Sequence, residues 1–249
     1  MRTSAHVKVA GAADFFDSGA LMKYLLTVLL AVLAGFAGAA LFAFSGLADD
    51  RTREYLLANP EILPQMADAY QSQQAGQRLS GIQDEVTRAF PGAVLGNPNG
   101  SKTLVKFTDY ACGYCRASVE DVDRLIAADP DLKVVIREWP IFEGSEASAR
   151  MSLAAAKQGK FEPFYHALFA LGQPTAENIA AAAKAAGIDT EAARSYGASD
   201  EVSAELARTN GFARQLGFTG TPSWVIGGEV IEGAVGYDRL ARYVAEAES

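Results

Sequence analysis

The sequence predicts an α/β domain preceded by an apolar N-terminal segment and a helical stalk. Three observations lead there: an uncharged run long enough to cross a bilayer, a strand–helix–strand pattern around a pair of cysteines, and a late hairpin closed by a helix. With 249 residues, the chain holds roughly one ordinary domain plus extra N-terminal material. Hydrophobic residues make up 49% and charged residues 21%, which supplies a sizeable core and excludes a chain disordered throughout. Acidic groups outnumber basic ones, 30 to 22, for a formal net charge of −8. A nucleic-acid surface needs clustered Lys and Arg, so no nucleic-acid partner is expected.

Residues 1–48 form the first segment. From Tyr24 to Ala48 the chain carries no charge and is mostly Leu, Ala, Val, Phe and Gly, while a bilayer core needs about 20 apolar residues. The run lacks a polar face, so a buried core helix fits it poorly. Two readings stay open: a retained transmembrane anchor, or a secretory signal removed near Ala43-Phe44-Ser45, where small residues flank Phe44. The length of the run favours the anchor. Arg2, Lys8 and Lys23 precede it, although Asp14, Asp17, Arg51 and Arg53 weaken the charge asymmetry. Met22-Lys23 stands directly before the apolar run, so residues 1–21 are expected to be an upstream extension of the natural start. Either reading carries the cysteines to the periplasm or cell envelope, an oxidising compartment.

Residues 49–92 read as a polar helical stalk. Asn59-Pro60-Glu61 combines an N-cap, a proline suited to the first helical position and an acid favoured by the helix dipole. Ile62, Met66 and Tyr70 follow at helical spacing, and Leu79, Ile82, Val86 and Phe90 make a second narrow stripe. Gly76, Gly81 and Pro91 punctuate these helices. Such stripes dock on a partner helix or on the same domain. A homo-oligomer through the stalk and a passive spacer both remain open.

The globular domain is expected over 93–249. Asn97-Pro98-Asn99-Gly100 is a turn, and Thr103 to Thr108 is a short strand carrying Leu104, Val105 and Phe107. A helix through Ser118, Val122, Leu125 and Ile126 follows, then a strand from Leu132 to Trp139 ended by Pro140. This is a β-α-β unit, the connection parallel strands require. Residues 145–217 read as an insertion of Ala-rich helices broken near Gly159, Gln173-Pro174, Gly187 and Gly197. Ser223 to Ile226, Gly227-Gly228 and Val230-Ile231 make a hairpin, and Tyr237 to Ala247 closes the domain with Leu240, Tyr243 and Val244 on one face.

The chain has two cysteines, and both lie in Cys112-Gly113-Tyr114-Cys115, between a predicted strand and a predicted helix. A thiol at a helix N-terminus meets unpaired N–H groups and the positive end of the dipole, which stabilise its thiolate. The thiolate is the species that reacts in disulfide exchange. A structural disulfide across so short a loop restrains little of the unfolded chain. A zinc site needs further ligands, and His6 and His166 lie at no usual ligand spacing. No metal and no cofactor are expected. A C-x-x-C near a β-α-β unit is a thioredoxin-like redox signal. The second motif is Gly220-Thr221-Pro222-Ser223-Trp224-Val225, with the proline at the first residue of a strand. A cis Thr221-Pro222 bond would turn the Thr221 backbone toward an extended substrate strand.

From about residue 93 to 247 the chain resembles the DsbA family, thioredoxin folds with a helical insertion. Phe107-Thr108-Asp109-Tyr110-Ala111-Cys112-Gly113-Tyr114-Cys115-Arg116 and Gly217-Phe218-Thr219-Gly220-Thr221-Pro222 carry the resemblance. Residues 54–75 add a narrower likeness to the ScsC-like branch, whose members place a helical segment before the catalytic domain and oligomerise through it. The resemblance implies an exposed nucleophile at Cys112, a buried resolving thiol at Cys115, and a substrate side formed by Gly113, Tyr114, Thr221 and Pro222. It also implies cysteine-containing protein substrates and a membrane redox partner that resets the dithiol. Relatives often carry a buried acid six residues before the nucleophile; here Lys106 stands there, and of two readings, an ammonium that favours a thiolate by charge or one that reaches solvent, the second is expected. Phe161, Phe164, Tyr165 and Phe169, with His166, are expected to be core and surface of an insertion helix. Trp224 is expected in the core, and Glu143, Glu146 and Arg150 at a solvated helix start. The expected activity is a disulfide isomerase or reductase. A dithiol oxidase and a non-catalytic chaperone or binding module are the alternatives.

Overall fold

In the computed structural model residues 18–44 and 47–247 are described. The expectation about residues 1–21 therefore lies mostly outside the described residues, and so does Ser45 of the cleavage reading. The chain divides into two compact units, Met1–Ala67 and Asp68–Ser249.

In the first unit α1 spans Ser18–Phe44 and α2 spans Leu47–Ala58. Within α1 the 21 residues Met22–Phe42 are long and apolar enough to cross a membrane. At about 1.5 Å per residue they match a hydrocarbon core of about 30 Å. Asn59 does not cap the helix that follows it. Its side-chain amide donates to the Tyr55 carbonyl at 2.7 Å, which also accepts from the Asn59 backbone N–H at 3.0 Å, closing the end of α2. The next helix, α3, begins at Ile62 and runs to Ser80.

The second unit is built on a five-stranded sheet. After α4 (Gln83–Thr87) come β1 (Val94–Gly96), β2 (Lys102–Thr108), α5 (Gly113–Ala128) and β3 (Leu132–Glu138). Five helices follow: α6 (Glu146–Lys157), α7 (Phe161–Leu171), α8 (Ala176–Ala185), α9 (Thr190–Gly197) and α10 (Asp200–Leu216). β4 (Ser223–Ile226), β5 (Glu229–Glu232) and α11 (Tyr237–Glu246) complete it. The strand order is β1-β3-β2-β4-β5. β2 and β3 pair in parallel across α5, with Lys106 opposite Ile136, and the other pairs are antiparallel. β1 is a finding beyond the sequence reading. Three residues before a turn carry too little pattern to be read as a strand.

Side chains alternate across a sheet, and both faces of this one are buried. Leu104, Val134, Ile136, Trp224 and Ile226 face a core shared with α5, α6, α7 and α11. Val105, Phe107, Val135, Trp139 and Val225 face a second core with Leu79, Ile82, Val86, Phe212 and Leu216. The domain start expected near Ala93 is thus too late. The stripe read as stalk packs under the sheet, and Phe90 joins the first core. Leu104-Val105 and Val134-Val135-Ile136 signalled this, because unbroken apolar runs belong to strands covered on both faces.

Arg137 fastens this second layer. Alternation places it on the α4 side, 2% exposed. Its guanidinium donates to the carbonyls of Glu85, Val86 and Arg88 and to Glu205 Oε1 at 2.6 Å. Arg208 also pairs with Glu205. A cation among the last carbonyls of α4 satisfies groups that have no intrahelical partner. Arg150 is likewise more than part of a solvated helix start. It pairs with Glu146 and donates to the Gly197 carbonyl at 2.8 Å, tying α6 to α9. Gly217, at φ +83°, ends α10 and turns the chain toward Thr221-Pro222, a left-handed conformation that glycine adopts without cost.

Arg137→Ala leaves Glu205 buried beside one exposed arginine and frees three carbonyls, so the variant should lose about 3–5 kcal/mol of stability. Urea denaturation of the reduced protein measures it.

Candidate active site

α5 starts at Gly113, so Cys112 is its N-cap residue. The sulphur takes the place a Ser or Asp oxygen usually fills: Cys112 Sγ accepts from the Cys115 backbone N–H at 3.4 Å. The turn before it is held by Asp109, which is buried. Asp109 Oδ1 accepts from the Ala111 N–H at 2.8 Å, and its carbonyl accepts from the Cys112 N–H at 3.1 Å. Asp109 Oδ2 accepts from the N–H groups of Ile141 and Phe142 and from Ser145 Oγ, at 2.7, 3.1 and 2.7 Å. One carboxylate therefore ties the cysteine turn to the loop that leaves β3.

Thr221-Pro222 is cis. The Thr221 carbonyl lies across from the cysteines and accepts from Cys112 Sγ at 3.2 Å. The six candidate residues thus fall on the N-terminus of α5 and the neighbouring Thr221-Pro222 loop. Cys112 keeps 4% of its surface accessible while Cys115 keeps none. Gly113 and Tyr114 are exposed beside the thiol, Tyr114 at 71%, and Pro222 is buried. A β-carbon at Gly113 would meet nothing within 4 Å, which leaves open space next to the outer sulphur.

Residues 103–245 match the model of the DSBA-like thioredoxin domain. The chain belongs to the DSBA-like thioredoxin family. Residues 51–77 match the model of the N-terminal domain of the copper resistance protein ScsC. The solved structures similar to this chain include the following two. A thioredoxin-like oxidoreductase from Silicibacter pomeroyi DSS-3 is 41% identical, with a TM-score of 0.60 over 62% of this chain and 90% of that one. ScsC of Proteus mirabilis in a transitional conformation is 28% identical, with a TM-score of 0.63 over 79% and 93%. A Na(+)/H(+) antiporter NhaA of Herminiimonas arsenicoxydans is 30% identical over 157 residues, 62% of this chain. The chain spans 25% of the length of that curated relative.

Within the DSBA-like domain the two thiols are driven apart in acidity. The Cys112 value falls from the ordinary 9.0 to about 5, chiefly through a hydrogen bond from the Cys115 thiol. The N–H groups of Cys115 and Tyr114 at the start of α5 add to it, and burial opposes them. Burial pushes the Cys115 thiol up, far above its ordinary value. Both shifts favour ionisation of the outer sulphur, and a thiolate is the reactive form of a cysteine.

The expectation for Lys106 is overturned. Its side chain is fully buried, because alternation along β2 points it under α5 and α7 closes over it. Nζ donates to Tyr165 Oη at 2.8 Å and to the Cys115 carbonyl at 3.3 Å. The rings of Trp224, Tyr165 and Phe169 lie 5.4, 5.5 and 5.6 Å from it. On the next strand Glu138, also buried, accepts from Ser152 Oγ at 2.6 Å and Tyr110 Oη at 3.2 Å. Burial lowers Lys106 to about 8 and raises Glu138 to about 8. Sequence reasoning missed Glu138, Tyr165 and the clasp at Asp109. One signal was present: Lys106 and Glu138 are opposite charges of equal parity on strands that pair in parallel. Trp224 and the aromatic residues of α7 are core, with His166 on the surface bonded to Asp123 at 3.0 Å.

The Cys112 shift sets a pH dependence. Folding lowers its value from 9.0 to about 5, so its stabilisation is full above the unfolded value and disappears as pH falls through the folded one. The disulfide form has no thiolate to stabilise. The stability of the reduced protein relative to the oxidised one should therefore fall as pH drops through about 5, and Cys112 alkylation should titrate with that midpoint. Paired denaturation curves and iodoacetamide rates check both.

Proposed function

We propose that this DSBA-like protein exchanges disulfides with cysteine-containing proteins outside the cytoplasm, acting as an isomerase or reductase. One observation carries the reading: the Cys112 sulphur sits at the N-cap of α5, accepting from the Cys115 N–H beside the Thr221 carbonyl, with open space at Gly113. In the exchange, the Cys112 thiolate attacks a substrate disulfide and forms a mixed disulfide, expelling one substrate thiolate. Cys115 then attacks Cys112 and releases the second substrate sulphur. Gly113, Tyr114, Thr221 and Pro222 border the incoming chain, which pairs with the backbone beside Pro222 as an added strand.

The same charge bears on the potential of the pair. A stabilised thiolate lowers the free energy of the dithiol form and raises the reduction potential of the pair. The pair therefore stays reduced more readily in a given thiol buffer, the state an isomerase needs, whereas a reductase works better at a lower potential. A membrane partner would return electrons to it. The match at residues 51–77 and the exposed Tyr55, Leu57, Leu63 and Met66 support self-association through the helical segment 49–92. The apolar α1 supports placement at the cell envelope, as an anchor or as a signal.

The second reading is a dithiol oxidase, which the raised potential would serve equally if the pair were kept oxidised. Thiol trapping in cells separates the two, with mostly reduced Cys112 and Cys115 expected and a mostly oxidised pair favouring the oxidase. Cys112→Ser should abolish exchange, and Cys115→Ser should accumulate mixed disulfides with client proteins. Full activity of Cys112→Ser would leave only a binding module.

A further inference from the structure

The sheet ends in an open edge. β5 is the last strand in the order β1-β3-β2-β4-β5, and it pairs on one side with β4. The Gly233 N–H donates to the Pro222 carbonyl at 2.8 Å, which fixes the parity of the pair. Along an antiparallel ladder, residues bonded to the partner alternate with residues turned away from it. Counting back from Gly233, Ile231 and Glu229 face β4, while Val230 and Glu232 turn N–H and C=O outward. An edge of this kind is a template for a further strand, unless short length or projecting charges blunt it. β5 has four residues, and Glu232 carries a charge. That charge is engaged elsewhere: Glu232 Oε1 accepts from the Thr219 N–H at 2.7 Å and from Thr219 Oγ1 at 2.6 Å.

A groove of about 560 Å³ opens along this edge, lined by Val230, Ile231 and Glu232. Arg78 of α3 lines one wall and Arg239 of α11 the other. The walls belong to opposite faces of the sheet. Val230 packs against the core that holds Leu79 of α3, whereas Ile231 shares the other core with Leu240 of α11. Arg78 Nη2 donates to the Leu216 carbonyl at 3.1 Å. Both arginines are exposed, and among the described residues neither forms an ion pair. In a chain of net charge −8, two unpaired guanidinium groups beside a free strand edge suit acidic side chains.

We propose that the β5 edge docks an extended acidic segment of the client protein, which adds to the sheet between α3 and α11. This rests on the exchange reading above and extends it beyond the residues that border Cys112. The N–H and C=O groups of Val230 and Glu232 supply the pairing. Side chains of an added strand alternate between the two faces of a sheet. Neighbouring residues of the client therefore meet Arg78 on one wall and Arg239 on the other, and an acid at each is the preferred pattern. Glu232 connects this strip to the cysteines, because the loop it holds through Thr219 continues directly into Thr221-Pro222. A client seated there is held beside the loop whose Thr221 carbonyl faces the Cys112 sulphur.

The probe is the symmetric disulfide of a one-cysteine peptide whose tail carries either two adjacent glutamates or two adjacent glutamines. Reduced native protein should reduce the glutamate peptide about fivefold faster at low salt, through a lower KM, and high salt should erase the difference. Replacing both arginines, Arg78→Gln with Arg239→Gln, should also erase it. Val230→Pro removes an outward N–H that β4 does not use, so it should slow both peptides. Glutathione disulfide has no strand to add, and both variants should reduce it at the native rate. Equal rates for the two peptides on native protein overturn the proposal, as does a preference that survives the arginine replacements. If Val230→Pro does not fold, tails N-methylated at one or the other set of alternate residues test the pairing on native protein. One set should slow the reaction; unchanged rates with both overturn the proposal. A dimer that Val230→Pro breaks would seat a second copy at the edge and overturn it too. Failure of the exchange reading looks different: native protein then reduces neither peptide nor glutathione disulfide. Docking is still read in that case from amide shifts at Val230 and Glu232 on adding the glutamate peptide with serine in place of its cysteine.

Discussion

A negative charge held at the first turn of α5 is the constraint to which the rest of the domain is fitted. Charge at a helix N-terminus is stabilised by N–H groups without intrahelical partners and by the aligned peptide dipoles. That stabilisation depends on position and fades within one turn. The sulphur must therefore be held at the cap, and two features hold it: the Asp109 clasp and the start of α5 at Gly113. β2 and β4 are adjacent in the sheet, which is why loops more than one hundred residues apart in sequence meet at one sulphur.

The same arrangement creates its own difficulty. Two thiols in one helical turn cannot both ionise cheaply, and burying the second one stabilises the first by making the inner thiol a hydrogen-bond donor. The inner thiol then has no solvent to receive its proton. The helices α6 and α7 close over the sheet face that carries Lys106 and Glu138. Ser152 of α6 reaches Glu138, and Tyr165 of α7 reaches Lys106. Inserting helices between β3 and β4 is thus more than decoration of a smaller fold, because it builds a dry polar chamber behind the cysteines. Inside it an amine and a carboxyl group lie under low dielectric, where burial disfavours the charged form of each.

On the other face, the Arg137 guanidinium performs a mechanical task. It binds the ending carbonyls of α4 to β3, so the helical segment from Leu79 onward becomes part of the domain. Sheet and underlying helices are thereby fixed to each other through β3, the strand that also bears Glu138.

Local patterns alone were enough to read the two strands around the cysteines, the hairpin, the closing helix, the apolar N-terminal run and the C-x-x-C at a helix start. Alternation, helical spacing and glycine or proline breaks are short-range properties, and a C-x-x-C between a strand and a helix has its chemistry written in its position. Tertiary structure decided the rest. Whether a stripe such as Leu79-Ile82-Val86 docks on a partner or on its own sheet depends on which sheet face lacks a cover, and no local spacing reports that. Whether Lys106 meets water depends on a helix beginning more than fifty residues later. A lysine stem long enough to snorkel is also long enough to be enclosed, and only the packing of α7 determines which occurs.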